Sequence, residues 1–366
     1  MDHQVQPSCM NNSIEALSED AIGLLKELIV TPSFSKEEDQ TAGIISRFLA
    51  QEGLATTRVG NNVFVANSYF NEAKPTILLN SHHDTVKPDS QYTKNPFLPG
   101  IEDGKLYGLG SNDAGGALVS LIATFLFFNK QQNLKYNLVL AATAEEEISG
   151  TGGIESILDF LPKIDSAIVG EPTKMQMAVA EKGLMVLDCI AKGKAGHAAR
   201  GEGENAIYKA IQDIEWLNSF QLDRNSDLLG SSKMSVTVME TKNKMHNVVP
   251  AECNFVIDVR INELYSHEEI LEIIKKNFQS QVKPRSMRIR SSIISLQHPL
   301  VKTGIDLGRK YYGSPTTSDK ALMPFPALKM GPGDSARSHT ADEFIYIEEI
   351  KEGIEGYIQL LNKLVL

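Results

Sequence analysis

Histidines and carboxylates stand just beyond several apolar runs of this chain. TILLN ends in SHHD, which gives His82, His83 and Asp84, and YNLVLAATA ends in Glu145, Glu146 and Glu147. SAIVG ends in Glu171, and PALKM leads into GPGDSARSHT with His339. Asp113 lies in LYGLGSNDAGG, between a short strand-like run and a helix opened by glycines. Each has an ordinary reading by itself. Asp113 could cap a helix, Glu171 before Pro172 could be a turn acid, and the three glutamates could be a solvated acidic loop. Read together, two histidines and three carboxylates from five segments make a dinuclear zinc site. Zinc takes imidazole nitrogen and carboxylate oxygen, and a catalytic site keeps one position for water. Two such ions would lie roughly 3.5–4 Å apart with a water between them.

Such residues must be brought together by the elements that carry them. Residues 1–180 alternate helical and strand patterns. SIEALSEDAIGLLKELIV places Leu17, Leu24, Leu25 and Leu28 at helical spacing, and an apolar helix is expected over 115–128. The continuous apolar strands between helices predict an α/β fold with a mostly parallel sheet covered on both faces. In such sheets ligands bind at the carboxyl ends of the strands, which is where all five candidates fall. Residues 181–293 read as an inserted α+β unit. LMVLDCIAKGK is strand-like, Ala206–Leu217 and Ile270–Phe278 are helical, and Met234–Val238 and Cys253–Arg260 alternate. Alternation around Met287 and Ile289 supplies a last strand, so the order β-α-β-β-α-β predicts a ferredoxin-like domain. Residues 294–366 return to the first style and complete the first domain. A helix is expected over 299–312, a strand at 326–330 and a closing helix over 348–364.

The composition is that of a globular protein, with 42% hydrophobic and 22% charged residues. A net charge of −10 argues against nucleic-acid and anionic-membrane partners. No window holds 18 apolar residues, and the N-terminus lacks a basic-then-apolar signal. Three widely spaced cysteines, Cys9, Cys189 and Cys253, fit neither a disulfide framework nor a cysteine zinc site, so a cytoplasmic location is expected. GLGSND lacks the third glycine and the Lys-Ser/Thr ending of a phosphate loop.

The motifs LLNSHHDTV, YGLGSNDAGGA, ATAEEEISG, IVGEPT, GHAARGEGENAI, NVVP and GPGDSARSHTADEF occur in that order. By them the chain resembles the zinc-dependent family of acetylornithine deacetylase, succinyl-diaminopimelate desuccinylase, aminoacylase and glutamate carboxypeptidase. The resemblance covers nearly the whole chain and implies a zinc exopeptidase-like fold with an inserted lid and dimerisation domain, hence a homodimer. It implies that His82 and Glu171 bind one zinc, that Glu147 and His339 bind the other, and that Asp113 bridges them. Cobalt or manganese could substitute. Asp84 would hydrogen-bond the far nitrogen of His82, His83 would be a spacer, and Glu146 would be the general base. His197 would reach across a dimer interface to the developing oxyanion. Lys182, Asn247 and Arg260 match substrate-contacting positions, although Arg260 could equally pair with Asp258 on the sheet face. Gly331 and Gly333 would let the backbone approach the substrate.

The chain departs from the family pattern at Leu109, where an arginine is usual, at Ala114–Gly115 for Met-Lys, and at Glu145 for an aspartate. GPGDSARSHTADEF looks most like the acetylornithine and N-acyl-lysine branch. The resemblance therefore implies hydrolysis of an N-acyl amino acid such as N-acetylornithine or N-acetylcitrulline, in arginine biosynthesis. A succinyl group would call on Lys182, Arg200 or Arg337. A dipeptidase, an aminotripeptidase or an N-acyl-lysine deacylase would use the same dinuclear site.

Overall fold

The structure, a computed structural model, describes residues 14–366. Cys9 and the N-terminal stretch read for a signal lie outside the described residues. The chain divides into two compact units. The first comprises the chain up to Ala178, Ile294–Tyr311 and Met323–Leu366, and the second comprises Val179–Ile293 and Tyr312–Leu322.

In the first unit, helix α1 (Ile14–Val30) buries Leu17, Ala21, Leu24, Leu25 and Leu28 along one face, as its spacing dictates. A helix α2 (Asp39–Gln51) follows that the sequence reading passed over, although Ala42, Ile45 and Leu49 carry its buried stripe. Strands β1 (Thr57–Val59), β2 (Asn62–Ala66) and β3 (Thr76–His82) come next, then the hairpin β4 (Gly100–Glu102) and β5 (Lys105–Tyr107). Helix α3 (Gly116–Asn129) precedes β6 (Asn137–Thr143), β7 (Ser166–Val169) and β8 (Met177–Glu181), of which Met177 and Ala178 belong to this unit. The central sheet runs β1-β2-β6-β3-β7, then Ala327–Lys329, then β8. Its middle is parallel, with β3 against β6 and β7, and Ala327–Lys329 against β7. The pairings of β1 with β2 and β2 with β6 are antiparallel. Every residue of β3 and β6 is buried, which explains why both read as unbroken apolar runs.

Helix α3 packs against α1, β3, β6 and the closing helix Ile347–Val365. The stretch Ser111–Asn129 is apolar and long enough to cross a membrane, yet it is 83% buried, the mark of a core helix. The helix expected over 299–312 is shorter, Pro299–Asp306. Gly308, at φ 79°, ends it in the left-handed conformation that suits a residue just past a helix terminus.

The second unit is built on a four-stranded antiparallel sheet in the order Lys233–Glu240, Glu252–Ile261, Gly183–Lys192 and Gln281–Pro284. Helices Ala206–Ser219 and His267–Asn277 belong to the same unit. Met185, Leu187, Cys189, Phe255, Ile257 and Val259 form its core with Ile270 and Ile274. The last strand is Gln281–Pro284, not the alternation at Met287 and Ile289, because Gln281 and Val282 pair with Ile190 and Cys189. Tyr312–Leu322 also groups with this unit, where the sequence reading gave it to the first. Ser318 Oγ donates to the buried Glu181 carboxylate (2.8 Å), and Lys320 Nζ donates to the carbonyl of Val179 (3.0 Å).

Candidate metal centre

Five segments of the first unit deliver the acid–imidazole cluster. His82 is the last residue of β3, Glu146 and Glu147 open a single turn that begins three residues after β6 ends, and Glu171 follows β7. His339 lies on the loop beyond Ala327–Lys329, and Asp113 sits in the irregular turn Ser111–Gly115 that opens into α3. Parallel pairing sets the ends of β3, β6 and β7 side by side: His82 faces Thr143 across the ladder, and Asn80 faces Val169.

The two oxygens of Asp113 face two different imidazoles. His82 Nε2 lies 3.4 Å from Oδ1, and His339 Nε2 lies 3.7 Å from Oδ2. Glu171 Oε1 is 3.9 Å from His82 Nε2, and Glu147 Oε2 is 2.9 Å from His339 Nε2. Two three-residue donor sets result, His82–Asp113–Glu171 and Asp113–Glu147–His339, with ligand atoms in each set within 4.8 Å of one another. Glu146 Oε2 is 3.8 Å from His82 Nε2.

The ring orientation of His82 follows from its bonds. Nδ1 contacts the carbonyl of Asp84 at 3.0 Å and must donate there. The lone pair is therefore on Nε2, which is buried and has no hydrogen-bond partner among the described residues. An orphaned imidazole nitrogen aimed at three carboxylates is a fit for a divalent cation. Charge balance points the same way. Burial opposes a proton on His82, but Glu146, Asp113, Asp84 and Glu171 outweigh it and raise its pKa well above the usual imidazole value. The bond to Glu147 pushes His339 up to about 9. Burial raises Glu147 despite that bond, with the charge of Asp113 adding to the effect. The carboxylates around the two imidazoles thus favour positive charge at this point, which two dications would also provide.

Asp84 does more than was expected of it. Its carboxylate lies 3.4 Å from His82 Nδ1, so the bond to that nitrogen is made by its main-chain oxygen. The carboxylate instead accepts the backbone N–H groups of Glu146 (3.0 Å) and Glu147 (3.2 Å) and the hydroxyl of Ser35 (2.6 Å). Glu145 parts from its neighbours. Its backbone is left-handed (φ 54°), its N–H donates to the buried Glu38 (3.2 Å), and its carboxylate accepts from Gly152 N (3.2 Å). It closes the loop and takes no place in the donor sets. His83 has partners at both nitrogens, Thr41 Oγ1 (2.9 Å) and the carbonyl of Asn61 (3.0 Å). Burial lowers its pKa, which suits a neutral packing residue. Ser35 and Glu38 carry no local signal in the sequence, because one bonds the Asp84 carboxylate and the other a backbone amide more than a hundred positions away.

Several expected substrate contacts have internal partners. Arg260 makes a two-pronged bond to Asp258 (2.8 and 3.1 Å), so the sheet-face pair is what forms. Lys182 is buried and donates to the carbonyl of Ser231. Arg337 bonds Glu349 (2.6 Å) and lies over the ring of Phe344. A Cβ on Gly331 would meet the carbonyl oxygen of Glu171 at 2.6 Å, and one on Gly333 would meet Asn112 Oδ1 at 2.6 Å. Both glycines therefore answer to neighbouring protein atoms. His197 and Asn247, both exposed, do come together in the second unit. Gly196–His197 pairs with Val248–Val249, and Ala198 N donates to the carbonyl of Asn247 (3.0 Å). Leu109 and Ala114 line a small cavity of mixed polarity with Leu25, Leu28 and Phe97 against His82 and Asp113.

Comparison with known proteins places this geometry in a family. The family model described as peptidase family M20/M25/M40 matches residues 78–363, from β3 into the closing helix. The chain is 29% identical over 263 residues to a succinyl-diaminopimelate desuccinylase of Cereibacter sphaeroides, covering 68% of this chain and 69% of that one. A tripeptidase from Staphylococcus aureus superposes with a TM-score of 0.77 at 18% identity, covering 95% of this chain and 98% of that one. A Bacillus subtilis protein described as a dinuclear metal-binding peptidase of the M20 family superposes at 0.70 with 16% identity, covering 96% and 99%. These two similarities bear on the fold. The family match, in contrast, runs from before His82 to beyond His339 and takes in every member of the cluster. The chain thus belongs to peptidase family M20/M25/M40 and is a metal-dependent amidohydrolase.

Proposed function

We propose that this chain hydrolyses the amide of an N-acyl amino acid at a dinuclear zinc site. The observation that carries the reading is Asp113, whose two oxygens face His82 and His339 between the two donor sets. One ion would be held by His82, Glu171 and Asp113, the other by Glu147, His339 and Asp113. When bound, the pair supplies Lewis acidity to the carbonyl and makes water acidic enough to attack near neutral pH. The protein does the rest. Asp84 fixes the turn so that Glu146 stands beside the cluster without being one of its ligands. Glu146 takes the proton from the attacking water as its oxygen bonds the carbonyl carbon. It gives that proton to the departing nitrogen as the C–N bond breaks, leaving a carboxylate and a free amine. By the resemblance, His197 would serve the developing oxyanion across a dimer interface and Asn247 would contact substrate.

For the substrate, the likeness of GPGDSARSHTADEF to the acetylornithine branch supports a small neutral acyl group, with the product in arginine biosynthesis. The internal bonds of Lys182 and Arg337, two of the three candidates for a succinyl carboxylate, support the same choice, while the third, Arg200, is exposed. The desuccinylase from Cereibacter sphaeroides favours a second reading, a succinyl group. Turnover of N-acetylornithine, N-acetylcitrulline, N-succinylornithine and a dipeptide, measured side by side with metal analysis, decides between them. Two ions per chain and preference for an acetyl substrate are expected. Turnover of the dipeptide alone, or a wild-type chain that takes up no pair of ions, would overturn the proposal.

A further inference from the structure

The loop GLGSND lacks the residues of a phosphate cradle, yet its amides converge on a carboxyl group supplied by the chain itself. Glu343 is 2% exposed. Its Oε1 accepts the N–H groups of Asn112 (2.8 Å) and Asp113 (2.9 Å), and its Oε2 accepts that of Gly110 (3.0 Å). The carbonyl of Glu343 also accepts Gly108 N (3.0 Å). One residue thus holds the loop at four points.

The loop is not regular helix where Glu343 grips it. Gly110 is left-handed (φ 73°), and Asp113 has φ −118° and ψ 98°. Without an intrahelical partner each of these N–H groups needs another acceptor. Glu343 stands four residues after His339, at the start of Phe344–Tyr346, which pairs with β5 just ahead of the loop. Asn112 adds a second tie to the same segment, accepting from Asp334 N (3.0 Å) and donating to its carbonyl (3.1 Å). The residue shared by both donor sets is therefore fixed by the segment that carries His339.

We infer that Glu343 is a positioning residue that holds Asp113 where its two oxygens serve two ions at once. Asp113 must present both oxygens in a set direction, and a rotated main chain would leave one ion short of a ligand. A carboxylate has enough lone pairs for all three N–H groups. An amide has one acceptor oxygen, and its NH2 group would confront the third N–H. This inference rests on the dinuclear reading of the same site.

The test is metal titration of Glu343→Gln and Glu343→Asp beside the wild-type chain, with zinc for stoichiometry and cobalt for the visible spectrum of the site. The expected order of affinity for the second ion is wild type, then Asp, then Gln, with a loss of about 10–100-fold for Gln. The cobalt bands should shift, and kcat should fall while KM holds. Melting of the metal-free proteins separates this from a simple loss of fold, because the affinity and the spectrum must change in protein that is still folded. Wild-type second-ion affinity and an unchanged spectrum in folded Glu343→Gln would overturn the inference. Should Gln prevent folding, the same result in Glu343→Asp overturns it, since a carboxylate drawn back by one methylene cannot reach all three amides. A wild-type chain that binds no pair of ions would instead defeat the dinuclear reading.

Discussion

The three adjacent carboxylates Glu145, Glu146 and Glu147 have three different fates. Glu147 meets His339, Glu146 faces His82, and Glu145 turns back to Gly152. Backbone conformation makes the division, since a left-handed residue at 145 directs the chain into the short turn at Glu146–Ile148. Two variants separate the roles of the first two. In Glu146→Ala, metal analysis should find both ions retained, and kcat should fall roughly 10²–10⁴-fold, the usual contribution of a positioned general base. In Glu147→Ala, metal content should fall as well as rate. Equal metal content and equal residual rate in the two would refute the division. The identity of these residues was plain in the sequence. Their separate directions were not, because they depend on Asp84 and Glu38, 62 and 107 positions away.

The loop after β6 shows how an element is shaped around one side chain. Gly150 N donates to the carbonyl of Glu145 (2.8 Å), and Gly152 N bonds its carboxylate. A Cβ at position 150 would lie 2.6 Å from the Cβ of Glu145. Gly150→Ala must therefore shift the turn that carries Glu146, at a cost of about 1–3 kcal/mol typical of overpacking. Thermal melts should show the loss of stability, and kcat should drop with it. An unchanged melt and rate would mean that the loop yields freely. Strands β3, β6 and β7 were legible as apolar runs because both of their faces are buried. The strand Gln281–Pro284 was less so, for it is short and its pairing depends on a distant partner. The end of the helix at Gly308 depends on one left-handed residue that periodicity does not register.

At the scale of the whole molecule, the chain is a metal-dependent hydrolase with two separately packed units. Chelation should abolish hydrolysis and lower the melting temperature, because Asp113, Glu147 and Glu171 lose their counter-charge. Restoring an ion at a hundred times its dissociation constant should return about 2.7 kcal/mol of stability. A melt indifferent to chelator would contradict a resident metal. The homodimer expected of the inserted domain can be tested on its sheet. Lys233–Glu240 is an edge strand, with Val238 48% and Met239 43% exposed. An edge of this kind invites pairing with another strand. Light scattering should give a dimer for the wild type and a shift towards monomer for Met239→Lys; a monomeric wild type would defeat the expectation. The sequence by itself determined which residue types stand at the strand ends and that a parallel α/β sheet would gather them, because apolar periodicity and order along the chain are local properties. Tertiary structure alone decided which oxygen faces which imidazole and that Arg260, Lys182 and Arg337 have partners of their own. It alone set Glu343 beneath Asp113, 230 positions away, and contacts at that range are fixed by packing rather than by spacing.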